Sequence, residues 1–111
     1  MGYKTFEISN YVVKLGQNLS FLTGGKKCSG YISCQGQTER LIILFIAEGE
    51  VISSPTTVPN LSYGTIHIPI KEMPNYVDLL RNEAPIYGYL NSDNPEWNSI
   101  TTSNEDVGEG E

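Results

Sequence analysis

The chain has 111 residues, with seven basic and thirteen acidic side chains giving a formal charge of −6, and Leu, Ile, Val and Phe fill 29 positions. That suffices for one core and one domain, and it leaves few cations to meet a phosphate backbone, so nucleic acid is disfavoured as a partner. No stretch approaches the ~18 apolar residues of a membrane helix, and Met1-Gly2-Tyr3-Lys4 lacks the apolar run of a secretory signal, so the expectation is a soluble cytoplasmic protein without membrane association.

Ile, Val and Thr total 25 against two alanines, and side chains branched at Cβ favour a pleated sheet. Residues 3 to 8 alternate, with Phe6 and Ile8 on one face and Tyr3, Thr5 and Glu7 on the other, the period of a half-buried strand. Residues 11 to 15 repeat the pattern, and Gly16-Gln17-Asn18 turns the chain. Residues 19 to 23 are expected to form a third short strand, closed by Gly24-Gly25 and followed by Lys26 and Lys27 at a loop tip. The next strand covers residues 30 to 34, with its turn at Gln35-Gly36-Gln37-Thr38.

Leu41-Ile42-Ile43-Leu44-Phe45-Ile46-Ala47 is apolar without a break, between Arg40 and Glu48-Gly49-Glu50. It predicts a central strand with both faces apolar, Leu41, Ile43 and Phe45 on one and Ile42, Leu44 and Ile46 on the other. Burying three large aliphatic side chains is worth roughly 5 to 9 kcal/mol, as much as the net stability of a small domain. Something must therefore cover the second face, either a helix of the same chain or a neighbouring subunit, and Ile42, Leu44 and Ile46 are the candidate interface.

Residues 54 to 60, with two prolines, predict an exposed loop suited to recognition. Residues 63 to 70 alternate with Ile66, Ile68 and Ile70 inward; Pro69 ends that strand or marks an edge. A helix is expected from 74 to 82, because Met73, Tyr76, Val77 and Leu80 make one stripe, Pro74 suits a first turn and Pro85 stops it. It is too short to cover a whole sheet. Residues 86 to 90 return as a strand, residues 97 to 101 add a last one, and 102 to 111 form an acidic, mobile tail behind a single β-rich domain of residues 1 to 101. The expected fold is a small, mainly antiparallel sheet or partly open β-barrel with one short helix; the alternative is an α+β arrangement with the helix packed on one face.

Candidate chemistry is sparse. His67 is the only histidine and so the first residue for proton transfer near neutral pH, but no nucleophile motif accompanies it. Cys28 and Cys34 are six positions apart, about 20 Å along an extended strand against the ~4.4 to 6.8 Å of a disulfide. They would pair only through a sharp turn at Gly30 or with another subunit, and reduced thiols are expected. Glu48 and Glu50 make an incomplete hard-cation pair, and two cysteines with one histidine make no familiar zinc set, so neither a metal nor another cofactor is assigned. Tyr87 and Tyr89 share a face, and with Tyr63 and Trp97 they are candidate binding residues, for protein rather than nucleic acid because no basic residues are interleaved. The expected function is a non-enzymatic binding or assembly module acting through self-association, as a homo-oligomer, or through another protein partner. The alternatives are a small barrel binding single-stranded nucleic acid through Lys26, Lys27 and tyrosines, and a small enzyme using His67.

Overall fold

The computed structural model describes residues 2–17, 19 and 28–102. Among these residues are seven strands, β1 (Tyr3–Glu7), β2 (Asn10–Leu15), β3 (Cys28–Gln35), β4 (Arg40–Ile46), β5 (Tyr63–Pro69), β6 (Ile86–Asn91) and β7 (Ser99–Thr102), with one helix, α1 (Met73–Asn82), between β5 and β6. They form two sheets, a three-stranded one in the order β1-β6-β7 and a four-stranded one in the order β2-β3-β4-β5. The chain is thus mainly β with one short helix, as its composition predicts, and the sheets are not closed into a barrel.

One pairing departs from the antiparallel expectation. β4 and β5 run parallel, Ile43 beside Ile66. Parallel neighbours need a long crossover, which residues 47–62 supply. β1 and β2, adjacent in sequence, lie in different sheets. Residues 20–23 of the predicted third strand, the Gly24-Gly25 turn and the tail beyond residue 102 fall outside the described residues.

Register explains the core. One face of the large sheet carries the row Val13, Ile32, Ile43, Ile66 and, beside it, Leu15, Gly30, Phe45, Ile68. Two elements cover this face side by side. The small sheet contributes Phe6, Ile86 and Leu90, and α1 contributes Met73 and Leu80. A glycine permits the close approach of the sheets, since a Cβ at Gly64 would sit 2.6 Å from Leu90 Cδ2; within the small sheet, one at Gly88 would sit 2.5 Å from the ring of its cross-strand neighbour Phe6. The helix meets the sheet where Tyr76 packs edge-on against Phe45, ring centroids 5.7 Å apart. Its stripe is the predicted one, with Met73 and Leu80 buried and Tyr76 and Val77 half-buried. Ten residues span only about 15 Å, so α1 stops short of the outer margin at β2.

The second face of β4 is covered too, within the chain. Leu44 (4% exposed) and Ile46 (1%) are buried in a smaller cluster with Leu19 and Cys28, and half-buried Tyr31 and Ile42 flank it. A register shift between Cys28 and Gly30 places Cys28 opposite Ile46. Cys28 thereby joins this second cluster, while Cys34 lies in the main core. The two free, buried thiols stand on opposite sides of the sheet.

Candidate functional site

A sheet without closure has rims, and the rims are where this fold offers chemistry. On β5 the phase is set by Arg40, whose N–H donates to Ser62 O at 3.0 Å. Even-numbered residues of β5 therefore turn their backbone to β4, and odd-numbered ones turn outward. Thr65 N–H, facing out, donates to Thr56 O at 2.8 Å, and Val58 N–H donates to Tyr63 O at 2.9 Å. The proline-bearing loop expected to be free for recognition thus lies along this rim, bridged at Thr57 and Gly64.

Asn98 locks that arrangement. Its Nδ2 donates to Thr65 O (3.0 Å), Thr57 Oγ1 (2.8 Å) and Thr56 O (3.2 Å), and its Oδ1 accepts from Asn91 N–H at 2.9 Å. One buried amide thereby ties β5 and its covering loop to β6 of the other sheet. A side chain with two donors and an acceptor suits such a junction, but nothing in the local sequence marks this asparagine among its neighbours.

The opposite rim, β2, is bare of described residues. Gly16 N–H donates to Ser29 O at 3.0 Å beside the Leu15–Gly30 pair, which directs the backbone of Val12 and Lys14 to β3 and that of Tyr11, Val13 and Leu15 outward. These outward N–H and C=O groups meet no described residue. Two of the three side chains are exposed as well, Leu15 at 69% and Val13 at 38%, while Tyr11 is half-buried. Where α1 falls short, a groove of about 440 Å3 opens, lined by Val13, Leu15, Ile70, Met73, Pro74, Val77 and Asp78. The alternation of Val13 and Leu15 was visible in the sequence, whereas the position of their strand at the margin of the sheet was not.

His67 sits on the second face of β5, beside Leu44. Its Nδ1 lies 3.0 Å from Ser53 O and 3.1 Å from Ser53 Oγ. A carbonyl only accepts, so Nδ1 carries the proton and Nε2 the lone pair. With that tautomer Nδ1 cannot take a proton from the Ser53 hydroxyl, and the pair is not an activated nucleophile. Burial lowers the His67 pKa, opposed by the Ser53 carbonyl, which raises it. A shallow groove of about 300 Å3 places Glu96 and Tyr76 near His67, but neither is hydrogen-bonded to it.

The aromatic candidates divide between the sheets. Tyr87 and Tyr89 share the outer face of the small sheet with Tyr3, whose ring centroid is 5.7 Å from that of Tyr89, and Tyr87 has Glu7 of β1 as its cross-strand neighbour there. Tyr63 starts β5 in the large sheet, and Trp97 lies in a 3-10 turn (Pro95–Trp97) before β7. Lys26 and Lys27 are outside the described residues. Glu48 and Glu50 stay on an exposed turn, and no group of three or more potential metal ligands gathers among the described residues. Burial pushes the Cys34 thiol up to about 12. No helix among the described residues is long and apolar enough to cross a membrane. No family model, curated protein or solved structure matches the chain.

Proposed function

We propose that this protein is a cytoplasmic, non-enzymatic interaction module that accepts an extended protein strand along the rim of β2. The observation that carries this reading is the combination in one strand of outward backbone groups that meet no described residue and exposed apolar side chains beside a groove. An added strand gains affinity from main-chain hydrogen bonds and selectivity from alternate side chains set against that groove. Of the expected interface residues Ile42, Leu44 and Ile46, the last two are already buried inside the chain, which favours the β2 rim over that face. A reducing compartment accords with the two free thiols.

The test is a capped synthetic peptide with the sequence of residues 9–16, titrated into the full chain and followed by amide hydrogen exchange. Strand addition predicts that, in chain dilute enough to be monomeric, the amides of Tyr11, Val13 and Leu15 exchange rapidly without peptide and slow at least tenfold with it, while those of Val12 and Lys14 are protected throughout. No change at the three outward amides at millimolar peptide would refute it.

A further inference from the structure

Resting on that reading, we infer that the strand added at β2 is β2 of a second copy, antiparallel about a two-fold axis through Val13. Four rims are available among the described strands. That of β5 is covered by residues 56–58 and Asn98. β1 and β7 expose polar or charged residues, among them Lys4, Glu7 and Ser99, which discourage edge pairing. β1 exposes one large apolar side chain, Tyr3, whereas β2 exposes Val12, Val13 and Leu15 together.

A two-fold pairing must match the strand to itself, and hydrogen-bond phase narrows the choice of centre. An axis through Val13 sets Val13 opposite its own copy and Tyr11 opposite Leu15 of the second copy, twice over. All the outward residues then exchange bonds in pairs. An axis through Val12 instead pairs Tyr11 with Val13 and leaves Leu15 facing Ser9, whose N–H is already given to Gln35 O at 2.8 Å. Moving the axis to Lys14 would put two ammonium groups face to face, which is unfavourable for a directly opposed cross-strand pair.

With Val13 at the centre, each Lys14 lies across from Val12, half exposed at 52%, where its methylene stem can pack while the ammonium stays in water. The apolar side chains of the other face converge beside the two grooves next to α1. The product is an eight-stranded sheet, β5-β4-β3-β2 followed by its copy reversed, with each covered β5 at an outer margin. Such a contact is isologous and closes after two chains.

Light scattering on the full chain from 5 to 200 μM reads the stoichiometry, and cysteine cross-linking reads the register. Residues facing each other in a hydrogen-bonded antiparallel pair have Cα atoms ~5.5 Å apart, within disulfide range. A mass of twice 12.3 kDa is expected at high concentration. Mild oxidation should link Val13→Cys chains to themselves at least tenfold faster than Val12→Cys chains. As a second register test, an equimolar mixture of Tyr11→Cys and Leu15→Cys chains should give the mixed disulfide in preference to either homodimer. A monomeric mass throughout overturns the inference, as does a dimer in which Val12→Cys links as fast as Val13→Cys. If the chain stays monomeric while the peptide of residues 9–16 still protects the outward amides, strand addition stands and only the second copy is excluded as occupant. If both measurements fail, the reading of the rim fails with them.

Discussion

Along β5 the outward groups of Thr65 are taken up by Thr56 and Asn98, whereas along β2 those of Tyr11, Val13 and Leu15 meet no described residue. Both strands end the same sheet and both carry apolar residues toward the same core, so hydrophobicity does not separate them. The distinction lies in what the chain does next. After β4 it makes a long excursion back to the start of a parallel strand, and that excursion lies over the β5 rim. After β2 no described segment performs the same task. A free strand margin invites association, and proteins ordinarily blunt it; here one margin is sealed by a specific amide and the other is left apolar.

The sealed side should be the costlier to disturb. Asn98→Leu removes both donors and the acceptor at once, leaving Thr65 O and Asn91 N–H without their partner and Thr56 O with only the Thr65 N–H. With about 1 to 3 kcal/mol for each buried polar group left unsatisfied, a loss on the order of 3 to 5 kcal/mol is expected in denaturant unfolding, together with faster exchange at Thr65. A loss under 1 kcal/mol would mean that this amide does not hold the covering loop. Gly64→Ala tests the same junction sterically, because its Cβ would approach Leu90 Cδ2 to 2.6 Å and Thr56 O to 3.2 Å. Overpacking of this kind costs roughly 1 to 3 kcal/mol.

The comparison also shows how far residue patterns reach. Every described strand and the helix were legible from alternation, proline and glycine, because burial on one face imposes a period that the residues must follow. The apolar run of β4 announced a strand covered on both faces, and its cover proved to be internal. Pairing order was not legible. Nothing in residues 40–46 or 63–69 distinguishes a parallel from an antiparallel neighbour, since both need the same inward residues. The bulge that sends Cys28 and Cys34 to opposite faces was hidden for a related reason: an extra residue changes face without changing composition. Asn98 escaped notice because a polar residue before a short strand reads as solvated until the acceptors of its Nδ2, 33 to 42 positions away, are known.

Acid should separate the two groups that join distant parts of the fold. Lys4 of β1 is paired with the buried carboxylate of Glu39, in the turn between β3 and β4, so one ion pair links the two sheets. The hydrogen bond from Lys4 lowers the Glu39 pKa, with burial opposing it. A depressed carboxyl contributes stability that is present above its ordinary pKa and is lost as pH falls through the depressed value. His67 acts in the same direction at higher pH. Its lowered pKa keeps the folded ring neutral, so the unfolded chain binds the proton first and stability declines below about pH 6.5. Unfolding free energy measured from pH 8 to 3 should therefore fall in two stages. Lys4→Gln should flatten the stage below the ordinary carboxylate range, and His67→Gln the stage just below neutrality. A profile unchanged by either substitution would detach these groups from fold stability.

The smallest effect on folding is expected at the open rim. Leu15→Lys exchanges an exposed apolar side chain for a charged one that still fits a strand margin, and it leaves the hydrogen bonds to β3 in place. At dilute concentration, where a two-chain assembly dissociates, unfolding free energy should change by no more than about 0.5 kcal/mol, the ordinary range for surface positions. Leu80→Ala, at a buried position on α1, should lose about 2 to 5 kcal/mol under the same conditions. Raising the concentration should then reveal what Leu15 does: unfolding of the parent chain shifts to higher temperature as the folded state is drawn into association, while that of the lysine variant stays fixed. Parallel shifts in both chains would place the contact elsewhere and leave the bare margin without a role in assembly.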